Sequence, residues 1–416
     1  MKIVIVGNGP AAVTAAETLR TLDQTCEITI INKEEGPCYS PCPLAEYVEG
    51  SVSRDSLFIR DHGFYERLNI NTLFGRAATG VDTVERKVYI DNGSWVSYDR
   101  LLLAHGAKAF LPPIPGLEAG RDGLFALKTL ADADGILAKA KGGASHAVVI
   151  GSGFIGLEAA QGLVRLGLSV TVLETRNQVL PNMLDADMAA TVQQILEDGG
   201  IDIRLAANTQ EIIGTQAVSG VRVDGEILPC DLVVCATGVR ADISIVKGTD
   251  IATNRGIIVD ETMQTSIPGV FAAGDIIEAD DLDGNRTVTP TWPNAVNSGR
   301  IAACNMLGVK KRYAGLELFN VLRVFDVPTG SFGALKGDEI VEYHRKGVRK
   351  KLAITDGRIA GLQVIGDIDN MGLYMEMMKK GYDLSLHGEE ILEPGFGYAN
   401  TFMPIISKSA FNAAAV

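Results

Sequence analysis

Two glycine-rich turns constrain the fold of this chain more than any other feature of its sequence. Each follows a short apolar segment, and they lie about 145 residues apart: Gly7-Asn8-Gly9-Pro10-Ala11-Ala12 after residues 2–6, and Gly151-Ser152-Gly153-Phe154-Ile155-Gly156 after residues 147–150. In a β-α-β unit such a turn presents backbone N–H groups and a helix N-terminus to a pyrophosphate. One glycine-rich loop is weak evidence, but two in matching contexts predict two dinucleotide sites. Two dinucleotides in one chain indicate FAD exchanging electrons with NAD(P).

The composition is that of a folded protein with more than one core. The chain has 416 residues, of which 46% are apolar and 21% charged, so two or three domains are expected. A net charge of −13 argues against nucleic acid or an anionic membrane as the partner. The apolar start ends at Gly7, too early for a signal peptide or a membrane span, so we expect a cytoplasmic protein. The six cysteines and five histidines form no metal-ligand pattern, so we expect no bound metal.

The order of the predicted elements sets the fold class. Strand 2–6, helix 10–22 and strand 27–32 open the first unit, and a second unit spans roughly residues 120–238. From about residue 316 the sequence changes to short strands with Asp-Gly turns and a Met- and Leu-rich helix over 370–380. The prediction is an α/β fold with two Rossmann-like dinucleotide-binding domains and a small α+β C-terminal domain.

The residue at the end of the second strand of each unit is the expected contact to the ribose of the dinucleotide, and its chemistry indicates which dinucleotide the unit binds. In the second unit Glu174 lies 23 residues after Gly151, where an acid accepts hydrogen bonds from the ribose hydroxyls. A carboxylate there repels a 2′-phosphate, which favours NAD over NADP, although the nearby Arg176 leaves NADP open. In the first unit the equivalent position is Asn32, with Glu34 close by. An amide still hydrogen-bonds a ribose, less strongly than a charged acceptor.

The segment from Thr265 to Asp275 resembles the second FAD signature of the pyridine nucleotide–disulfide oxidoreductase superfamily. The resemblance covers roughly residues 1–310 and implies FAD in the first unit, NADH in the second, and Asp275 on the ribityl chain of FAD. It implies FAD contacts at Gly7, Gly9, Pro10, Ala11, Asn32, Pro41, Cys42, Ala104, Gly274, Asp275 and Trp292. The NAD contacts it implies are Gly151, Gly153, Phe154, Ile155, Gly156, Glu174 and Gly238. The domains follow as 1–110 with 239–315 for FAD, 111–238 for NAD, and 316–416 as a C-terminal interface domain.

A cysteine loop lies where members of the superfamily place their redox group against the flavin. Dithiol reductases have two cysteines separated by four residues and a lysine four residues after the second. Here Cys38 and Cys42 are separated by three residues, and Glu46 stands at the lysine position. Cys42 resembles the lone cysteine of coenzyme A disulfide reductases and NADH oxidases. It is either a redox-active thiol or a small apolar filler beside the flavin, and a Cys38–Cys42 disulfide stays open.

Glu158 resembles the acid that family members hold near the contact between flavin and nicotinamide. We therefore predict a catalytic role for Glu158 as well as for Cys42. The alternative for Glu158 is an acid in the first turn of a helix, where the macrodipole favours it.

The C-terminal sequence points to the electron acceptor. True disulfide reductases of the superfamily carry a His–Glu pair there, and neither His344 nor His387 matches it. Short segments after residue 330 resemble rubredoxin-reductase-like and nitrite-reductase-like flavoproteins and the epsilon subunit of phenylglyoxylate dehydrogenase. The basic run from Arg345 to Lys351 would suit docking of an acidic iron–sulfur partner, and would equally suit a solvated hairpin end or a lysine-protected edge strand.

Two functions fit these observations. The first is an electron-transfer subunit that exchanges electrons between NAD(H) and an iron–sulfur protein or the subunits of a larger complex. The second is a stand-alone enzyme in which NADH reduces FAD, and FAD reduces a disulfide, peroxide or oxygen with the help of Cys42. The C-terminal resemblance and the missing His–Glu pair favour the first.

Overall fold

The computed structural model describes residues 1–118, 120–282, 284–316, 318–384, 389–393 and 395–397. His387 and residues 398–416 of the predicted C-terminal domain therefore lie outside the described part. The first part of the chain forms β1 (Lys2–Val6), α1 (Pro10–Leu22), β2 (Glu27–Asn32), α2 (Leu44–Glu49), α3 (His62–Arg67), β3 (Ile70–Phe74), β4 (Ala78–Asp82), β5 (Lys87–Ile90), β6 (Trp95–Ser97) and β7 (Arg100–Leu103). The first strand–turn–helix–strand unit thus forms where the apolar runs and Pro10 predict it.

The second part of the chain repeats this pattern in a longer unit. It forms β8 (Ala107–Ala109), β9 (Leu124–Phe125), α4 (Leu130–Lys141), β10 (His146–Ile150), α5 (Phe154–Arg165), β11 (Ser169–Leu173), α6 (Ala186–Asp198), β12 (Ile201–Arg204), β13 (Thr209–Ile213), β14 (Gly220–Val223), β15 (Glu226–Pro229), β16 (Leu232–Cys235) and β17 (Val239–Ala241). Five of these strands make a parallel sheet in the order β12-β11-β10-β16-β9. The connecting strands β8 and β17 pair antiparallel. The segments by which the chain enters and leaves this unit therefore lie side by side.

The third part returns to the first sheet. It forms β18 (Ile257–Ile258), β19 (Val270–Ala272), β20 (Ile277–Asp280), β21 (Arg286–Thr287) and α7 (Trp292–Met306). Strand β19 completes a parallel sheet in the order β19-β7-β1-β2-β3. Helix α7 packs closely on α1, because a Cβ built on Gly299 would lie 2.3 Å from the carbonyl oxygen of Ala11. The first dinucleotide unit is thus assembled from two distant stretches of sequence.

The last part forms an antiparallel sheet with one helix on it. Its elements are β22 (Phe319–Val324), β23 (Val327–Gly333), β24 (Glu339–Arg345), β25 (Val348–Thr355), β26 (Arg358–Ile365) and α8 (Met371–Lys379), and the strand order is β22-β23-β26-β25-β24. Phe332 and Tyr374 are fully buried between sheet and helix. The predicted α/β fold class is confirmed, whereas the residue numbers of the domain boundaries stay a prediction. Among the described helices, none has the length and apolar character needed to cross a bilayer.

Only part of the basic run in the C-terminal sheet is exposed. Arg349, Lys350 and Lys351 lie on β25, between β26 and β24, so for these residues the interpretation as an edge strand is wrong. Arg345 ends the edge strand β24, and Lys346 lies in the exposed turn of the β24–β25 hairpin, as the hairpin-end interpretation predicts. Lys350 and Lys351 are buried, and both make ion pairs, as does Arg349. These three cations are therefore not available to dock an acidic partner, which the sequence alone did not show because their carboxylate partners are distant along the chain.

Candidate active site

The first glycine turn is shaped to hold a pyrophosphate. Gly7 has φ +109°, and a Cβ added there would lie 2.3 Å from the carbonyl oxygen of Ala104 at the end of β7. A Cβ on Gly9, the N-cap of α1, would meet no protein atom within 4 Å. Because Pro10 and Ala11 begin the helix, its free N–H groups face that open space. These residues fit the diphosphate of FAD.

The second turn has the same construction. Gly151 has φ +104° and lies against the carbonyl of Ala236, while a Cβ on Gly156 would lie 2.0 Å from the Gly151 carbonyl oxygen. Gly153 faces open space, as does Gly238, which follows β16 with φ +107°. Phe154 and the exposed Ile155 begin α5. These residues fit a second dinucleotide.

Glu174 lies directly after β11 and is tied to the second turn. Its Oε2 accepts hydrogen bonds from the backbone N and the Oγ of Ser152 at 3.0 and 2.7 Å, and its Oε1 accepts from the backbone N of Arg176 at 2.9 Å. Burial alone would raise the pKa of Glu174, but these hydrogen bonds hold it below its ordinary value. The side chain is therefore a carboxylate, which repels a 2′-phosphate. Ser152 is a contributor that the sequence did not identify.

The predicted ribose position of the first unit has a different arrangement. Asn32 lies at the end of β2 and donates through Nδ2 to the Glu34 carbonyl at 2.9 Å. The Glu34 carboxylate accepts a hydrogen bond from the Tyr39 hydroxyl at 2.8 Å, and that hydroxyl accepts one from the backbone N of Leu130 at 3.0 Å. Tyr39, which the sequence did not single out, thus links the cysteine loop to α4 of the second unit.

The predicted ribityl contact lies beside a lysine that the sequence analysis missed. Gly274 follows β19 with φ +81°, and its N–H donates to the Ser298 hydroxyl at 3.0 Å. The next residue, Asp275, lies 3.6 Å from the Nζ of Lys128. Burial raises the pKa of Asp275, and Lys128 opposes this shift. A capping box formed by Thr129 and Asp132 begins α4 immediately after Lys128. This local pattern is the signal in the sequence that could have drawn attention to the lysine.

Two buried polar atoms near the first unit have no hydrogen-bond partner within the described residues: Thr291 Oγ1 and His105 Nδ1. Thr291 is the N-cap of α7, just before Trp292, and its side chain makes no capping hydrogen bond. His105 follows Ala104, and its Nε2 lies 2.8 Å from the Asp242 carbonyl. Burial lowers the pKa of His105, so the ring is neutral. Buried groups without a partner are costly, and a ligand with polar edges such as flavin would satisfy them.

The cysteine loop brings Cys42 among carboxyl groups. Cys42 is exposed, after Pro41 and before α2, and Glu46 lies in the first turn of that helix. Partial desolvation raises the pKa of the Cys42 thiol, and the nearby carboxyl groups of Glu158, Glu46 and Asp275 raise it further, whereas a hydrogen bond with Ser40 lowers it. A thiolate at Cys42 is therefore disfavoured by this surrounding.

Cys38 belongs to a different environment. It is buried in the core of the first unit, and its burial raises the pKa of the thiol to about 12. All six cysteines lie in the described residues and none is in a disulfide, so the open possibility of a Cys38–Cys42 disulfide is not realised.

Glu158 is the fifth residue of α5, so its interpretation as a first-turn acid is wrong. Helices α5 and α2 pack closely, since a Cβ on Gly162 would lie 3.3 Å from the Ala45 carbonyl oxygen. Burial, and then the charge of Glu46, raises the pKa of Glu158 to about 8. At neutral pH this carboxyl is therefore a proton-bearing acid.

Glu158→Gln is expected to become more stable than the wild-type holoenzyme as the pH rises. The folded chain holds the Glu158 proton up to a pKa of about 8, whereas an unfolded glutamate loses it near ~4.3. The free energy of unfolding of the wild type therefore decreases as the pH rises from the unfolded pKa to the folded pKa, and the decrease is complete above pH ~8. Glutamine does not titrate, so the variant lacks this pH dependence. Melting temperatures at pH ~5, ~7 and ~9 should show a gain of about 3 °C at the highest pH. The matched control Glu66→Gln removes an exposed glutamate and should give a flat difference; a flat difference for Glu158→Gln would contradict the assignment.

Two parallel sheets with matching glycine turns, joined by paired strands, define a flavin- and nicotinamide-dependent oxidoreductase. Residues 1–299 match the sequence profile of the pyridine nucleotide-disulphide oxidoreductase family. The chain belongs to this family, whose members use FAD and NAD(H). The predicted family, enzyme class and cofactors are thereby confirmed, whereas the individual site residues stay predictions.

The relatives within the family include several kinds of NAD(H)-linked oxidoreductase. The chain is 34% identical to an NADH oxidase of Methanocaldococcus jannaschii, over 96% of this chain and 95% of the relative. It is 29% identical to the epsilon subunit of the NADH-dependent phenylglyoxylate dehydrogenase of Aromatoleum evansii, over 92% and 93% of the two chains. The structure of an NAD-dependent persulfide reductase from A. fulgidus is similar with a TM-score of 0.86 and 28% identity, over 92% of this chain and 78% of that one. The chain spans only about half the length of two Bacillus subtilis relatives.

Proposed function

We propose that this chain is an electron-transfer subunit that exchanges electrons between NAD(H) and the single-electron centre of an iron–sulfur protein. In this proposal the chain is one subunit of a larger complex, such as a 2-oxoacid dehydrogenase of the phenylglyoxylate type. FAD supplies the needed chemistry, because it accepts two electrons as a hydride and releases them one at a time. The observation that carries the proposal is the carboxyl surrounding of Cys42.

A reductase thiol acts as a thiolate when it attacks a disulfide, persulfide or peroxide. Around Cys42, burial and the nearby carboxyl groups of Glu158, Glu46 and Asp275 raise the pKa of the thiol and so oppose that ionisation. Cys38 is buried in the core and offers no second thiol. Within residues 318–384 the only histidine is His344, which is exposed on β24. This supports an acceptor that takes electrons without forming a bond to sulfur.

The proton balance gives Glu158 a role in the proposed reaction. NADH transfers a hydride, and two electrons leave singly to the acceptor, so one proton is released for each NADH oxidised. The Glu158 carboxyl, with a pKa of about 8, already bears a proton at neutral pH. It would be suited to donate this proton while the electron pair is held by FAD and to take it back as the electrons leave, so that the net proton goes to solvent.

The similarity to the epsilon subunit extends over 93% of that subunit, which supports the assignment to a complex. The proposal includes an iron–sulfur partner and a cytoplasmic location.

A second candidate is a stand-alone enzyme that uses Cys42. Cys42 is exposed, so a disulfide or persulfide substrate would be able to approach it. The similarity to an NADH oxidase and to a persulfide reductase supports this candidate.

Anaerobic titration with NADH separates the two candidates. If Cys42 takes no part, one NADH for each FAD reduces the flavin fully, and Cys42→Ser gives the same endpoint. The matched control is Cys38→Ser, which changes the buried cysteine of the same loop. Uptake of a second equivalent requires that Cys42 is isolated in an oxidised form, a sulfenic acid or a mixed disulfide with a small thiol, which two electrons reduce to the thiol. That uptake, with a long-wavelength band lost in Cys42→Ser but kept in Cys38→Ser, would show a thiol enzyme.

The acceptor itself is tested by turnover. With NADH as donor, a purified iron–sulfur protein should be reduced equally fast by the wild type and by Cys42→Ser. Loss of that rate in Cys42→Ser, or reduction of coenzyme A disulfide or a persulfide alone, would support the second candidate instead.

A further inference from the structure

The loop between β11 and α6, residues 174–185, lies against the second glycine turn. The backbone N of Leu180 donates to the carbonyl oxygen of Ser152 at 3.0 Å. Leu180 has φ +48°, a strained value for leucine, and its side chain is buried together with Val179 and Leu184. Glu174 binds the other side of Ser152. The loop therefore holds the turn from two sides.

The C-terminal sheet holds the far end of this loop. Asp185 is the N-cap of α6, and its backbone N donates to Oε1 of Gln363 on β26 at 2.7 Å. The Asp185 carboxylate lies 3.2 Å from Nζ of Lys351 on β25. Lys351 also lies 2.9 Å from Asp187, which Arg349 contacts as well. Elements of the second unit and of the C-terminal sheet are thus joined at the start of α6.

This junction is buried on the C-terminal side. Lys351 and Gln363 are 9% and 2% exposed. Lys351 faces a third carboxylate, Glu342, at 3.2 Å, so its removal leaves several negative charges close together.

The neighbouring lysine provides a natural comparison. Successive residues of a strand point to opposite faces of the sheet. Lys350 accordingly pairs at 2.8 Å with Asp367, which belongs to the C-terminal part itself. Lys350 and Lys351 are the same residue type, both buried and both paired, but only Lys351 contacts the second unit.

We infer that Lys351 and Gln363 are positioning residues for NAD(H): through Asp185 they hold loop 174–185 against the second turn and so set its affinity for the dinucleotide. Neither residue lies at the turn itself. The C-terminal sheet thus has a role in nicotinamide binding that is separate from any contact with an acceptor. The inference does not depend on which acceptor the chain uses.

The test is the dissociation constant of NAD⁺ for the oxidised holoenzyme, measured by calorimetry. No turnover occurs under these conditions, so the result does not depend on the acceptor. Lys351→Met is expected to weaken NAD⁺ binding about tenfold, as for residues that couple to a site without touching the ligand. Lys350→Met is the matched control and should change the dissociation constant by less than about twofold. FAD content and melting temperature are recorded for each variant.

Asp187→Asn provides a milder second variant, because it removes only the carboxylate that Arg349 and Lys351 share. It should weaken NAD⁺ binding in the same direction even if Lys351→Met does not fold. A lower melting temperature with an unchanged dissociation constant in Lys351→Met and Asp187→Asn would overturn the inference. Equal weakening in Lys350→Met and Lys351→Met would overturn it too, because the effect would then be general destabilisation.

Discussion

Gly156→Ala is expected to slow reduction by NADH at least about a hundredfold while the protein keeps its flavin. A Cβ at position 156 would lie 2.0 Å from the carbonyl oxygen of Gly151, far inside van der Waals contact. Both positions are backbone of the second turn, so the turn itself must open. The N–H groups at the start of α5 would then no longer converge on the pyrophosphate. The first turn is a separate structure and is left intact.

The measurement compares two reductants on one protein. Dithionite should bleach the flavin of Gly156→Ala as it does that of the wild type, whereas NADH at millimolar concentration should reduce it at least about a hundredfold more slowly. Gly372→Ala is the control, since Gly372 is also helical but its added Cβ meets no atom within 4 Å. Reduction of Gly156→Ala by NADH at the wild-type rate would show that the second turn does not bind the nicotinamide dinucleotide.

Gly7→Ala is expected to yield a protein that does not retain FAD. Two effects combine: φ +109° is unfavourable for alanine, and the added Cβ would lie 2.3 Å from the Ala104 carbonyl oxygen. Strain of this kind costs about 1–3 kcal/mol before the clash is counted. Since β1 and β7 are neighbours in the sheet, relief of the clash separates the strand ends that frame the site.

The molar ratio of FAD to protein after purification measures this effect, and it should fall at least about tenfold, as a free-energy loss of about 1.4 kcal/mol or more requires. Gly36→Ala is the matched control, because Gly36 has φ +85° but its added Cβ meets no atom within 4 Å. It reproduces the backbone strain without the clash and should keep its flavin. Gly7→Ala with a full complement of FAD would contradict the assignment of the first turn.

Much of the fold could be predicted from the sequence because its signals are local. Helix α1 and strands β1 and β2 have the predicted bounds, since Pro10 starts the helix and continuous apolar runs make buried parallel strands. Gly7 and Gly151 have the positive φ values that glycine alone adopts readily. The acid Glu174 could be located by counting from the turn, because a β-α-β unit has a nearly constant length.

The electrostatic partners could not be predicted in this way. The basic run suggested a docking surface, but Lys351 makes ion pairs with Asp185 and Asp187 at the start of α6. These two carboxylates are far from Lys351 in the sequence. Likewise, the sequence showed Glu46 near Cys42, and only the packing of α5 on α2 adds Glu158 to the same surrounding.

The sequence by itself therefore determined the two dinucleotide folds and their glycine turns, since backbone conformation and apolar periodicity depend on neighbouring residues. Only the tertiary structure decided which charges are free, which thiol is surrounded by carboxyl groups, and what holds loop 174–185. Those properties depend on distances between side chains that chain folding brings together, and the energy of a charge is set by its nearest partners and its burial.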